Sequence, residues 1–315
     1  MKRLATRCCG FWSYRHAADN LEEFCGIHLS HTTVGEIADL TAGEIAAKLP
    51  NIPDIRNEFQ KAKGETEFET DGTSVHIRND EDKAQWREMK VGILAKRERG
   101  ESAVPSEWAT RTLPEPTVVS AFAAIESKEE FLERCQRERR RLGVGGVTSA
   151  LGDGALWIWS IVVTVFGKTA ECLDIYHALE HVATCGKILY GNGADFTAWL
   201  DRMRLVLLSE GFSGMERELS SLLLGELQEA ERESVESLLK YFRKNSERLG
   251  YCARLAAGRS IGSGQVEGAC KNLVGRRLKQ TGACWRLERA NKMTVICGLL
   301  YSNQWKQYWK SPPKL

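Results

Sequence analysis

The hydrophobic period changes along this chain, and that change constrains the fold more than any other feature. Short β-prone runs occupy the stretch from 66 to 97, whereas residues 177–255 repeat their apolar side chains three and four positions apart. The first pattern predicts strands and the second predicts helices. The sequence therefore predicts a sheet near the N-terminal third and a large helical segment after it.

Up to residue 176 the predicted strands and helices follow a defined order. The dipeptide Asp71-Gly72 indicates a tight turn between the first two strands, and Gly143 indicates a helix end. The predicted elements are strands at Glu67–Asp71, Thr73–Arg78 and Met89–Ala95, a helix at Lys128–Leu142, a strand at Val147–Leu151, a helix at Leu156–Phe166 and a strand at Ala170–Ile175. This β-β-β-α-β-α-β order is typical of an RNase H-like α/β core, in which strands one and four are neighbours.

Helices flank this predicted core on both sides. One helix is expected to end at Gly26 and the next to begin after Ser30, which gives a helix-turn-helix-like pair. A later helical block begins after Gly262-Ser263-Gly264. We therefore predict four parts: a small helical N-terminal part (1–60), the first part of the RNase H-like core (61–176), an all-helical insertion domain (177–258), and the completion of the core with a basic C-terminal segment (259–315).

Three acidic residues fall where this topology brings elements together. Asp71 and Asp153 each precede a glycine at a predicted strand end, and Glu267 lies in the first turn of a predicted helix. Clustered carboxylates repel one another and become stable as ions when hard cations lie between them. Two such cations about 4 Å apart activate an attacking oxygen and stabilise a leaving one. We therefore predict that Asp71, Asp153 and Glu267 are catalytic and bind two Mg²⁺ or Mn²⁺ ions.

A second motif suggests different chemistry. His177-Ala-Leu-Glu180-His181 matches the HxxEH pattern of inverted zinc metallopeptidases. Two histidines four apart share one helix face and could bind Zn²⁺, with Glu180 as the base. Because the upstream sheet has no role in such a protease, the zinc metallopeptidase remains a remote alternative, and the histidines could instead hold the helix against the sheet.

Charge is distributed unevenly, although the net charge is only +2. From Arg259 to Leu315 there are eleven Lys or Arg and two acids, whereas the rest of the chain has 33 basic and 40 acidic residues. A positive segment on an acidic body is typical of a polyanion-binding surface, with a solvated helix face as the alternative. We predict that this segment lies along double-stranded DNA, through Lys271, Arg276, Arg277, Lys279, Trp285 and Arg286.

Targeting and redox features point to the cytoplasm. The most apolar stretch, Ala155–Phe166, has twelve residues, and a membrane span needs about 20. Arg7, Cys8 and Cys9 interrupt the region where a signal peptide needs an unbroken apolar segment. The ten cysteines are scattered, with no CxxC pair, which favours reduced thiols. We expect a cytoplasmic, nucleoid-associated protein without a membrane partner.

Several motifs together resemble one protein family. Asp174-Ile-Tyr-His177 resembles the C/DxxH signature of DDE transposases whose RNase H-like core is interrupted by a helical insertion, including the Mutator and hAT groups. The closest resemblance is to the ISKra-type bacterial insertion-sequence transposases. It is carried by residues 69–75 (ETDGTSV), 151–159 (LGDGALWIW), 173–181 (LDIYHALEH), 261–270 (IGSGQVEGAC), 277–285 (RLKQTGACW) and 301–309 (YSNQWKQYW).

The resemblance implies a function and a set of roles. By it, Asp71, Asp153 and Glu267 are the catalytic triad, Asp174 and His177 support these acids from behind, and the protein cleaves DNA and joins 3′-OH ends to target DNA. A homodimer or a higher homo-oligomer on DNA is expected, because paired element ends are handled together. Members of this group carry additional N-terminal sequence, so a shortened or domesticated transposase, acting as a non-catalytic DNA-binding protein or assembly component, is the alternative.

Overall fold

One mixed sheet forms the centre of the chain in the computed structural model, which describes residues 1–79, 81 and 83–310. Its strands are β1 (Glu65–Arg78), β2 (Ala84–Arg97), β3 (Val118–Ala124), β4 (Ser149–Gly152), β5 (Ala170–Leu173) and β6 (Trp285–Arg286). The spatial order is β3-β2-β1-β4-β5, and β6 pairs with the far end of β1. β2 is antiparallel to β1 and β3, whereas β4 is parallel to β1 and β5. The α/β class and the contact between the first and fourth strands are confirmed.

The first strand corrects the predicted turn. β1 runs without interruption through Asp71-Gly72, and its whole length pairs with β2. Two predicted strands are therefore one, and the chain reverses instead between Asn79 and Lys83, where Asn79 N donates to Lys83 O over 2.9 Å. A Cβ at position 72 would lie 2.4 Å from Oε1 of Glu88 on β2, so the glycine leaves room for the Glu88 side chain.

The third strand of the sheet, β3, was not predicted. It lies in the proline-containing stretch between β2 and the helix Lys128–Leu142, and small residues make up much of the strand. Three strands were predicted before that helix and three are present. The number agrees only because the prediction divided β1 into two strands and missed β3.

Helices cover the sheet. Before β1 they are α1 (Lys2–Cys9), α2 (Tyr14–Cys25), α3 (His31–Lys48) and α4 (Pro53–Lys61), and within the sheet region they are α5 (Lys128–Leu142) and α6 (Leu156–Phe166). α5 and α6 have the predicted bounds, and Gly26 and Ser30 cap α2 and α3 as predicted. α1 and α4 have no counterpart among the predicted helices.

A helical segment separates β5 from the helix that carries Glu267. Its members are α7 (Ile175–Tyr190), α8 (Ala194–Leu223), α9 (Glu229–Lys244) and α10 (Tyr251–Ala256). α8 is broken at Gly211, whose φ of 58° lies in the left-handed region. The remaining helices are α11 (Gly264–Ala269), α12 (Arg276–Leu278), α13 (Leu287–Tyr301) and α14 (Trp305–Lys310), with a π-helical segment Cys270–Gly275 between α11 and α12.

Packing joins these layers around the sheet. α13 lies on the edge strand β3, and Thr294 Oγ1 donates to Ala123 O over 2.8 Å, while Ala121 N donates to Ser302 Oγ over 2.8 Å. These bonds satisfy backbone groups that an open sheet edge would expose. All ten cysteines are free thiols, as predicted. None of the helices formed by the described residues is long and apolar enough to cross a membrane.

Candidate active site

Asp71 and Asp153 occupy corresponding positions along the neighbouring parallel strands β1 and β4. Glu69 of β1 pairs with Leu151 of β4. Asp71 follows Glu69 by two residues, and Asp153 follows Leu151 by two residues. β4 ends at Gly152, so Asp71 lies on β1 just beyond the residues that pair with β4. The predicted approach of these two acids is therefore supported, although Asp71 lies within a long strand rather than at its end.

Backbone amides fix both carboxylates. Gly72 N donates to Asp71 Oδ1, and Ala155 N donates to Asp153 Oδ1, each over 2.7 Å. Burial raises the pKa of Asp71, and repulsion from the Asp153 carboxylate raises it further, whereas nearby His177 lowers it. A carboxylate whose charge is destabilised by burial and by a second carboxylate forms a site in which a hard cation would be stabilised.

Glu267 is connected to this pair through Cys270. It lies one helical turn before Cys270, whose Sγ donates to Asp71 Oδ2 over 3.8 Å, and both Glu267 and Asp71 raise the pKa of Cys270 beyond the effect of burial. The Glu267 side chain is 44% exposed, and its Oε2 lies 3.6 Å from Lys271 Nζ. Within residues 1–79, 81 and 83–310, no three His, Cys, Asp or Glu side chains are arranged to hold a metal ion.

Asp174 joins two elements behind the acids. Its Oδ1 accepts from Tyr176 N at 2.6 Å and from His177 N at 3.0 Å, which caps α7. Its Oδ2 accepts from both the backbone N and the hydroxyl of Ser263, the residue that precedes α11. This buried carboxylate therefore ties the end of β5 to the helix that carries Glu267.

The two histidines of α7 have different surroundings. His177 Nδ1 lies 3.6 Å from Glu180 Oε2, and its side chain is half-buried. The His181 ring stacks on Tyr241 of α9 with a 3.9 Å centroid separation, and burial lowers the pKa of His181. Neither histidine belongs to a three-ligand metal group among the described residues, so the zinc interpretation gains no support from the structure.

Three residues near the acids, Glu69, Cys270 and Tyr241, were not identified as site residues from the sequence. Glu69 is buried on β1 and its Oε2 accepts from Val266 N at 3.0 Å, while burial raises its pKa to about 8. Cys270 contacts Asp71. Lys279, which was predicted as a DNA contact, donates from Nζ to Thr73 Oγ1, two residues beyond Asp71. Tyr241 packs against the Asp153-Gly154 turn, where a Cβ at Gly154 would lie 2.7 Å from its ring. The spacing of Glu69 and Asp71 along one strand face was the one available signal.

The predicted DNA-binding residues divide into two groups. Lys271, Arg276, Lys279 and Arg286 are exposed. Arg277 and Trp285 are only 3% and 8% exposed, so their prediction as DNA contacts is wrong. Arg277 Nε donates to Cys9 O over 2.6 Å, its guanidinium lies over the Trp285 ring, and Trp285 Nε1 donates to Leu278 O over 3.1 Å. Both side chains are part of the core.

The C-terminal aromatic residues are also mainly core. Trp305 and Tyr308 are buried, and residues 311–315, which include Lys314, lie outside the described residues. The solvent-exposed surface of this segment therefore carries a few Lys and Arg side chains and is not an aromatic surface.

Comparisons with known proteins identify no relative. Neither a scan against protein-family models nor a search of curated protein sequences found a significant match to this chain.

Proposed function

We propose that this chain is a DDE-type DNA transposase, similar to the ISKra-type enzymes, that cleaves DNA phosphodiesters and joins 3′-OH ends to target DNA. The observation that carries the proposal is the pair Asp71 and Asp153, which lies just beyond the paired residues of β1 and β4 and in which Asp153 raises the pKa of Asp71 in addition to the effect of burial. Paired carboxylates on neighbouring strands are an arrangement that metal-assisted phosphoryl transfer uses.

The topology supports an RNase H-like core as part of this proposal. In the order β3-β2-β1-β4-β5, β2 runs opposite to the other four strands. Helices α7 to α10 stand between β5 and α11 in the chain, which is where an insertion domain of residues 177–258 would lie. A homodimer or a higher homo-oligomer on double-stranded DNA belongs to the same proposal.

The acids have the donor chemistry that the expected ions need. Asp71 and Asp153 offer hard oxygen ligands, and burial, followed by repulsion from Asp153, raises the pKa of Asp71. Mg²⁺ or Mn²⁺, when bound, supplies positive charge that activates the attacking oxygen and stabilises the leaving one. Glu267 would be the third ligand if its side chain turned from Lys271 toward Asp71.

The protein's own residues would mainly position the DNA. Lys279 lies beside Thr73, next to the acid pair, and is placed to neutralise a phosphate close to the scissile bond. The reaction would first hydrolyse a phosphodiester to leave a 3′-OH, and that hydroxyl would then attack a target phosphodiester in line, displacing its 3′ oxygen. Positioning and electrostatics, rather than a side-chain base, would supply most of the rate.

A strand-cleavage and joining assay tests the proposal. The full chain is incubated with supercoiled plasmid that carries the DNA flanking its reading frame, with Mg²⁺ or Mn²⁺ or with a chelator. We expect metal-dependent nicking and joined 3′ ends, which Asp71→Asn and Asp153→Asn reduce by at least about a hundredfold, because each removes charge stabilisation from the transition state.

Asp195→Asn is the matched control, since it removes an exposed aspartate on α8 away from the acid pair. A parent protein that neither nicks nor joins under any metal condition, or an Asp71→Asn variant as active as the parent, would refute the proposal.

A non-catalytic DNA-binding role is the second candidate. It is favoured by one observation, namely that the Glu267 side chain is 44% exposed and its Oε2 lies 3.6 Å from Lys271 Nζ. In that case the parent would bind DNA in a gel-shift assay, without cleavage, and Asp71→Asn would bind equally well.

A further inference from the structure

The carboxyl of Glu69 faces the helix that carries Glu267. Glu69 is only 2% exposed, and its Oε2 accepts from the backbone N of Val266 at 3.0 Å, a contact between residues 197 apart in the chain. Val266 immediately precedes Glu267. The central strand β1 therefore contacts α11 one residue away from the predicted third catalytic acid.

α11 needs this contact because its N-terminus lacks an ordinary cap. The first amides of any helix have no partner within the helix, and a Ser side chain at the N-cap usually accepts from one of them. Ser263 is the N-cap residue of α11 but makes no such bond, because its hydroxyl is bound to Asp174. Glu69 supplies the missing acceptor from β1, at the third helical position.

Two buried carboxylates thus hold the beginning of α11. Asp174, after β5, fixes Ser263, and Glu69, on β1, fixes Val266. α11 continues directly into the π-helical segment Cys270–Gly275, so the two carboxylates hold the one free end of this helical stretch and set its rotation about the helix axis. Such a rotation would move the Glu267 side chain relative to Asp71.

We propose that Glu69 is a positioning residue, which sets the direction of Glu267 by holding the Val266 amide. This inference rests on the proposed function for the catalytic task of Glu267. The contact itself is independent of that function, so the two can fail separately.

Two substitutions at Glu69 separate the hydrogen bond from the size of the side chain. Glu69→Leu removes the acceptor. Glu69→Gln keeps a side-chain oxygen of the same reach, which can accept the same hydrogen bond from Val266 N. Glu67→Gln is the control, since Glu67 is equally buried on the same face of β1 but pairs with Arg97.

Amide hydrogen exchange at Val266, followed by NMR in the metal-free full chain, is the first measurement. We expect Glu69→Leu to speed exchange by about tenfold, and Glu69→Gln and Glu67→Gln to stay within about twofold of the parent. Unchanged protection in Glu69→Leu would overturn the proposal. If Glu69→Leu does not fold, Glu69→Met, an unbranched side chain of similar length without an oxygen, replaces it in this comparison, and unchanged Val266 protection in Glu69→Met overturns the proposal.

The second measurement is turnover. Glu69→Leu should lower kcat for strand cleavage by about tenfold or more with little change in KM for DNA, and Glu69→Gln should restore it. A Glu69→Leu variant with faster Val266 exchange but parental kcat would overturn the positioning role, as would a Glu69→Gln variant as slow as Glu69→Leu. A parent without cleavage activity refutes the proposed function, and exchange at Val266 then still decides whether Glu69 holds α11.

Discussion

Two acidic side chains on one face of β1 are accommodated in opposite ways. Glu67 is paired with Arg97, whose Nε donates to its Oε2 over 3.0 Å. Glu69 accepts a hydrogen bond only from an uncharged backbone amide among the described bonds, and burial raises its pKa to about 8. A buried acid without a paired base is stable chiefly in its protonated form. The two residues should therefore respond differently to pH.

Stability of the metal-free protein should fall with rising pH because of Glu69. Burial raises its pKa to about 8 in the folded chain, from an ordinary value of 4.5. Between these values the folded state binds more protons than the unfolded state, so the free energy of unfolding decreases as pH rises. Glu69→Gln should remove up to about 4 kcal/mol of this decrease.

Urea denaturation at pH 4.5, 6 and 8, with a chelator present, measures this dependence. Glu67→Gln is the control, because the Glu67–Arg97 pair gives no reason for the same loss. Parallel pH profiles for the parent and Glu69→Gln would contradict the prediction.

Arg277 should contribute to stability rather than to DNA binding. Its guanidinium lies 4.6 Å from the Trp285 ring centroid and 5.1 Å from that of Tyr14, and its Nε donates to Cys9 O. Arg277→Ala should cost about 2–4 kcal/mol of unfolding free energy, because it leaves a carbonyl without its donor and a cavity between two rings. Thermal unfolding of Arg277→Ala and of the exposed Arg276→Ala measures this, and equal melting temperatures would contradict it.

At the scale of elements, helices were predicted better than strands. Capping residues specify helix ends locally: Ser127 and Glu130 form a capping box on α5, and Gly143 ends it in the left-handed conformation. The Asp71-Gly72 dipeptide also favours a turn locally, but β1 continues through it because β2 pairs with its whole length. Pairing between strands is a tertiary effect that a single sequence does not display.

The break in α8 gives a prediction at the same scale. Gly211 has a positive φ of 58°, and a Cβ there would lie 2.8 Å from Leu249 O. Gly211→Ala should therefore lower the free energy of unfolding by about 1–3 kcal/mol. Gly193→Ala is the control, because nothing lies within 4 Å of a Cβ at that position. Similar urea midpoints for the two variants would argue that α8 straightens without cost.

At the scale of the whole molecule, part of the candidate site follows from the sequence and part does not. The proximity of Asp71 and Asp153 could be predicted from the strand order, because neighbouring parallel strands align their residues at a fixed register. The bonds from Glu69 to Val266 and from Asp174 to Ser263 join positions 197 and 89 apart, and no local pattern reports them. Burial of Arg277 against the N-terminal helices is likewise a consequence of how distant parts of the chain pack.

The whole-molecule charge distribution leads to a prediction about DNA. Arg276, Lys279 and Arg286 are exposed cations on the segment that follows Glu267, and Lys279 reaches Thr73 beside the acid pair. A helix that brings an acid to a scissile phosphate passes close to the DNA backbone, so these cations should contact phosphates and release counterions on binding. Phosphate contacts carry little sequence information, so losing them should weaken binding to all sequences alike.

Replacing Arg276, Lys279 and Arg286 together with Ala should reduce the slope of log affinity against log salt by about 0.9 per lost contact on duplex DNA. Fluorescence anisotropy from low to moderate salt measures the slope. The control variant replaces three exposed lysines outside this segment with Ala, which gives the same change in net charge: Lys168, Lys187 and Lys240. If the control lowers the slope as much as the test variant, the attraction comes from net charge and the segment after Glu267 is not the DNA path. A lower slope in the test variant alone places the duplex beside Asp71 and Asp153.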